Sequence, residues 1–181
     1  YNTGNVNGSK KVGGVVGDNF NSTIYGCYNA GNVNGGQDIM QYGGVGGVVG
    51  YNSGTISGCF NTGSVSGGTE GVGGVAGGIF GTVENSYNVG SVSSTYSNSR
   101  VGGVVGTVQS GPVQYCYNAG SVSGASVVGG VVGTNTTSTV QNCYYDKQVC
   151  PIGGINGGDV AGSAEGKLTS EITNGTAFTD W

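Results

Sequence analysis

The sequence predicts an all-β fold, a parallel β-solenoid of about five to six coils with three short strands per coil. Three observations carry this: a phrase that recurs five times, a second phrase that recurs in step with it, and a composition that favours strands. The first phrase is YNTGNVNG at Tyr1–Gly8, YNAGNVNG at Tyr28–Gly35, FNTGSVSG at Phe60–Gly67, YNVGSVSS at Tyr87–Ser94 and YNAGSVSG at Tyr117–Gly124. A degenerate copy begins at Tyr144, and successive starts lie 27, 32, 27, 30 and 27 residues apart. The second phrase, GGVVG or GGVAG, follows at Gly13–Gly17, Gly46–Gly50, Gly73–Gly77, Gly102–Gly106 and Gly129–Gly133. A third short β-prone stretch leads back to the next aromatic, at Thr23–Tyr25, Thr55–Ile56, Thr82–Val83, Pro112–Val113 and Thr139–Val140.

Each unit thus offers three short β-prone segments and no helical stripe of apolar residues. One unit cannot bury an apolar face alone, whereas stacked units pair each strand with its counterpart at about 4.8 Å. Stacking predicts ladders of Val6, Val33, Val65, Val92 and Val122, and of Tyr1, Tyr28, Phe60, Tyr87 and Tyr117. Asn2, Asn29, Asn61, Asn88 and Asn118 should stack their amides. Gly4, Gly31, Gly63, Gly90 and Gly120 mark a corner that needs positive φ or tight backbone approach. The other architecture open to the repeats is a β-meander, propeller- or prism-like, for which the units are short. Residues 1–145 read as the solenoid repeats and 146–181 as a degenerate last repeat with a closing segment.

Composition narrows the function. The 181 residues hold 42 Gly, 2 Pro and no His, and 8% are charged, with a net charge of −4. Five Lys and Arg make no basic stripe for nucleic acid. No apolar run reaches the ~18 residues of a membrane span. The chain opens inside a repeat and reads as a fragment of a longer precursor. Without histidine, neither a histidine base nor an HExxH zinc site is available, and no cysteine cluster has zinc spacing. Gly153–Asp159, GGINGGD, departs from the calcium nonapeptide and occurs once. No cofactor or metal is expected.

A polysaccharide-degrading β-helix would need clustered carboxylates. Asp18, Asp38, Glu70, Glu84, Asp146, Asp159, Glu165, Glu171 and Asp180 scatter over repeat phases, and only Asp38 and Glu70 share one. The expectation is no enzyme. Cys27, Cys59, Cys116 and Cys143 each precede an aromatic, with Ser86 in that place in the fourth copy. They should line up as buried, reduced thiols, since in-register strands point their Cβ atoms the same way. Cys150 is off this line and within reach of Cys143 if the coil ends there. The sequons at Asn21, Asn135 and Asn174 carry no weight in this composition.

Loop length points to a binding edge. Between the first two phrases, Ser9–Lys11, Gly68–Gly71 and Ala125–Ser126 are short, whereas Gly36–Gly44 and Thr95–Arg100 are long. Repeat proteins gather such insertions on one edge, often the binding edge. Here that edge carries Asp38, Met40, Tyr42, Glu70, Tyr96 and Arg100. Its tyrosines and Arg100 suit sugar rings or a peptide.

The phrases CYNAGNVNG and VGGVVG resemble the GLUG-motif repeat. CYYDKQ at Cys143–Gln148 and GKLTSEIT at Gly166–Thr173 resemble the way such arrays close. The resemblance implies a non-catalytic repeat module of a secreted or surface-anchored bacterial protein, a family that includes repeat regions of IgA-specific metallopeptidases and proteins regarded as adhesins. It brings no catalytic residue. The implied role is a scaffold or stalk beside other domains of a larger chain. The alternative is a module that binds host glycans or glycoproteins through the long-loop edge.

Overall fold

The computed structural model describes residues 1–38 and 43–178, and of Asp38 the backbone alone. The chain winds into a parallel β-solenoid. Among the described residues the strands form five stacks, four of five strands and one of six. Every strand pairs in parallel with its counterpart one coil away, so a β-meander, which is antiparallel, is excluded. Phrase pairs with phrase as the repeats demand: Val33 faces Val6 and Val65, and Gly73 faces Gly46 and Gly102.

The strand number per coil differs from the expected three. In the second coil the strands are Tyr28–Asn29, Val33–Asp38, Gly44–Gly46, Val49–Asn52 and Thr55–Ser57. The first and second phrases each bend in the middle and give two strands, while the third phrase gives one. Apolar content marks where β structure lies, but not where a seam of glycines lets it turn.

Those turns have separate causes. In the first phrase, Gly31, Gly63, Gly90 and Gly120 sit so close to the carbonyl of the glycine one coil earlier that a Cβ would overlap it. Close approach, not positive φ, requires glycine there. The left-handed corner lies elsewhere, at Gly26, Gly58, Asn85, Tyr115 and Asn142, with φ between 50° and 63°. In the second phrase the two strands fold back with their backbones in contact. A Cβ on Gly46 would overlap Val49 O, and one on Gly47 would overlap Gly74 O and the Asn61 side chain. Facing sheets ordinarily stand ~10 Å apart because side chains lie between them. A glycine seam removes that layer.

The interior is filled by valine ladders, with Val45, Val72 and Val101 on one wall and Val49, Ala76, Val105 and Val132 on another, all fully buried. A carboxamide ladder runs beside them. Asn2, Asn29, Asn61 and Asn88 each donate Nδ2 to the next Oδ1, at 2.7–2.8 Å. The second Nδ2 hydrogen goes to the glycine carbonyl two residues on, as from Asn61 to Gly63 O at 2.7 Å. Buried amides are thereby satisfied without water. Asn19 and Asn52 repeat this bond, at 2.7 Å, at a second phase.

The aromatics stack too. Ring centroids from Tyr1 to Tyr117 are 4.9–5.1 Å apart and nearly parallel. The thiol line is present, with Cys59, Cys116 and Cys143 buried, Cys27 half-buried and all five cysteines free. Cys59, Cys116 and Cys143 each point Sγ at the carbonyl two residues back, at 3.2–3.4 Å, and Ser86 Oγ does the same to Glu84 O at 2.7 Å. A short donor at this position satisfies the corner carbonyl, which explains why Cys and Ser interchange.

The ladders end at the C-terminal side. Tyr145 takes the place of the next asparagine, pairing with Asn118 and packing on Gly130. Ala164–Lys167 adds one more strand beside Cys143–Asp146. A five-residue helix, Thr169–Thr173, and a 3-10 turn, Thr176–Phe178, follow. Phe178 lies 5.3 Å from Tyr117 and closes the aromatic stack.

Candidate functional site

The long-loop edge is shaped by how three successive coils leave the first phrase. In the second coil the strand runs on to Asp38. The third coil pairs with it in register as far as Gly67, then slips, so that Gly68 faces Gln37 and Thr69 faces Asp38. The slip is a β-bulge, one extra residue in the second coil. The third coil then crosses directly from Thr69 to Gly71. The fourth coil leaves its strand at Ser94 and detours through Thr95–Ser99, where Ser99 N donates to Tyr96 O at 3.1 Å.

The expected site residues fall as follows. Asp38 ends its strand with its backbone paired to Thr69; its side chain, Met40 and Tyr42 lie outside the described residues. Tyr96 is half-buried, and its N–H donates to Ser94 Oγ at 3.2 Å. Glu70 and Arg100 form an ion pair, about one-third exposed on each side, and Arg100 N donates to Glu70 O at 2.7 Å. Arg100 therefore braces the two coils at the root of the long loop, with its charge committed to Glu70.

Residues beyond that set join the edge. Lys11 bonds Asp18 at 2.7 Å and lies 4.4 Å from the Tyr51 ring centroid. Tyr51 and Phe80 are 5.8 Å apart and tilted by 47°. With Gly43, Glu70, Gly78 and Thr107 they line a cavity of about 10 Å³, room for one water. The buried Thr107 hydroxyl has no partner among the described residues. The signal in the sequence was Gly50-Tyr51-Asn52 read by alternation: Asn52 is buried in the second amide ladder, so Tyr51 faces outward.

The second concavity is larger and of another character. On the other side of the loops, the bulge and the fourth coil's detour leave a groove of about 260 Å³ across the first-phrase stack. Glycines 35, 36, 67 and 68 open it, and Asn34, Gln37, Ser66, Ser93, Ser94 and Thr95 line it. Every polar group in this lining, among the described residues, is an amide, a hydroxyl or backbone.

Acids outside the edge serve the closing segment. Asp159 Oδ1 accepts the Tyr145 hydroxyl and Gly154 N, both at 2.9 Å, and burial and that carboxylate raise the Tyr145 pKa far above the usual range. The buried Asp146 accepts Gln148 N at 2.9 Å and Thr169 Oγ1 at 2.7 Å. Among the described residues no group of three or more His, Cys, Asp or Glu is placed to hold a metal, and no helix is long and apolar enough to cross a membrane.

Fold and edge together define a tandem-repeat parallel β-solenoid with variable loops gathered on one side. Residues 41–66, which span one coil, match the GLUG motif. The in-register pairing extends the same coil pattern to its neighbours. A crystal structure of a candidate immunoglobulin A1 protease from Bacteroides ovatus superposes with a TM-score of 0.69 at 20% identity. The match covers 100% of this chain and 66% of that one, so this chain spans only part of that protein, and the likeness is one of fold. No curated protein matches the chain.

Proposed function

We propose that this chain is a non-catalytic stalk module of a secreted or surface-anchored bacterial protein, holding neighbouring domains at a fixed separation. The observation that carries this reading is the unbroken carboxamide ladder from Asn2 to Asn118, which ties successive coils into one rod. Several of its carboxylates have structural partners: Asp18 pairs with Lys11, Glu70 with Arg100 and Glu165 with Lys167. The GLUG motif and the fold shared with the Bacteroides protein support a bacterial, extracellular setting. Fusing a fluorophore-bearing domain to each end tests the stalk directly. A narrow distance distribution that persists in mild denaturant is expected, and a broad, linker-like distribution would reject the reading. Turnover of polysaccharide or immunoglobulin that is lost in Glu70→Gln would reject the non-catalytic part.

A second reading, adhesion to host glycans or glycoproteins through the long-loop edge, is supported by the groove that the bulge and the fourth coil's detour open there.

A further inference from the structure

We infer that the groove between the second and fourth coils binds a neutral oligosaccharide; this deepens the adhesive reading and rests on it. The groove follows from three local departures in an otherwise regular rod. The bulge opposite Gly67 and Gly68 pushes Gln37 out of register, the third coil stays short, and the fourth leaves at Ser94. A bulge beside a concavity is a recurrent way to re-aim side chains toward a ligand. With about 260 Å³ open, the space lies just below the ~300–1,000 Å³ of small-molecule pockets.

The lining selects the ligand class. Ser66 Oγ donates to Asn34 Oδ1 at 3.2 Å, which leaves the Asn34 amide hydrogens directed elsewhere. The side chains of Gln37, Ser93 and Thr95 make no hydrogen bond to a described residue. Amides and hydroxyls can both donate and accept, as sugar hydroxyls do. Among the described residues, no lysine or arginine lines the groove to meet a carboxylate or sulfate. A peptide would need apolar pockets for alternate side chains, and the floor is glycine backbone. The stacked aromatics of the rod, Tyr1 excepted, offer no open ring face. They pack face against face at 4.9–5.1 Å, so four of the five rings present only edges to solvent.

The test is a glycan array probed with the 181-residue protein, followed by titration of the retained sugars by NMR. Neutral oligosaccharides should be retained, with Kd on the order of 0.1–1 mM for so shallow a site, and should shift the amides of Asn34, Ser66, Ser93 and Thr95. Asn34→Ala with Ser93→Ala should weaken binding about tenfold at unchanged Tm. Ser123→Ala, on the same row one coil beyond, should leave binding unchanged. Retention of acidic glycans alone, or binding indifferent to the groove substitutions, overturns the proposal. Equal capture of a glycoprotein before and after enzymatic deglycosylation also overturns it, while leaving adhesion standing. If neither sugars nor glycoproteins are held, groove and adhesive reading fall together and the stalk remains.

Discussion

Asn61 donates its side-chain amide to Asn88 Oδ1 at 2.8 Å and to Gly63 O at 2.7 Å, and accepts from Asn29 at 2.8 Å. Fully buried, it sits mid-ladder, so its loss unpairs groups on two neighbouring coils. Asn61→Ala should cost about 2–4 kcal/mol, from two or more orphaned polar groups at ~1–3 kcal/mol each. Asn2→Ala, at a half-buried position bonded to one neighbouring asparagine, should cost under about 1 kcal/mol. Chemical denaturation of both variants checks the gradient; equal costs would mean the ladder does not act along the rod.

Two glycines four residues apart should behave oppositely. A Cβ on Gly74 would overlap Gly103 O and the Asn88 side chain, whereas on Gly78 the nearest atom is Tyr51 Cδ2 at 3.8 Å. Gly74→Ala is expected to lower stability by more than about 3 kcal/mol or abolish folding, because backbone must move. Gly78→Ala should fall within about 0.5 kcal/mol of the parent. Parallel thermal melts decide it.

Thiol chemistry should follow burial. Burial raises the Cys59 and Cys150 thiols, and burial together with the neighbouring Cys143 raises Cys116 well above the ordinary value. The thiolate is the reactive form. At pH 8 an aromatic disulfide reagent should titrate Cys27 first and the other four cysteines only on unfolding. Rapid reaction of all five in the folded protein would contradict the buried line.

Acid should loosen the closing strand first. Gly162 N at 2.7 Å and Lys167 at 3.0 Å hold the Glu165 carboxyl below its usual value. A depressed folded pKa gives stabilisation that is present above the unfolded value, ~4.3, and is lost as pH falls through the folded one. The pair is partly exposed, so the effect should be small, under about 1 kcal/mol. Hydrogen exchange in Ala164–Lys167 should quicken below pH 4 in the parent, and Glu165→Gln should remove that pH dependence.

The spacing of the repeats determined the parallel stacking, the partners of Val33, Phe60 and Asn61, and the cysteine line, because in a solenoid equal phase in sequence is equal position around the axis. It pointed to three strands per coil where there are five, since the turn inside each phrase comes from backbone meeting backbone, a contact made only once neighbouring coils are in place. Gly31 illustrates this: its need for glycine is set by Gly4 O one coil earlier. Loop lengths marked the edge, but whether Arg100 stands free or is bound to Glu70, and that Asn34, Gln37 and Ser93 converge on one groove, depended on register. A one-residue slip at Gly67–Gly68 decides which side chains meet there. The extra length of the second coil is visible in the sequence, but which residue is left unpaired is fixed only when the two coils pair.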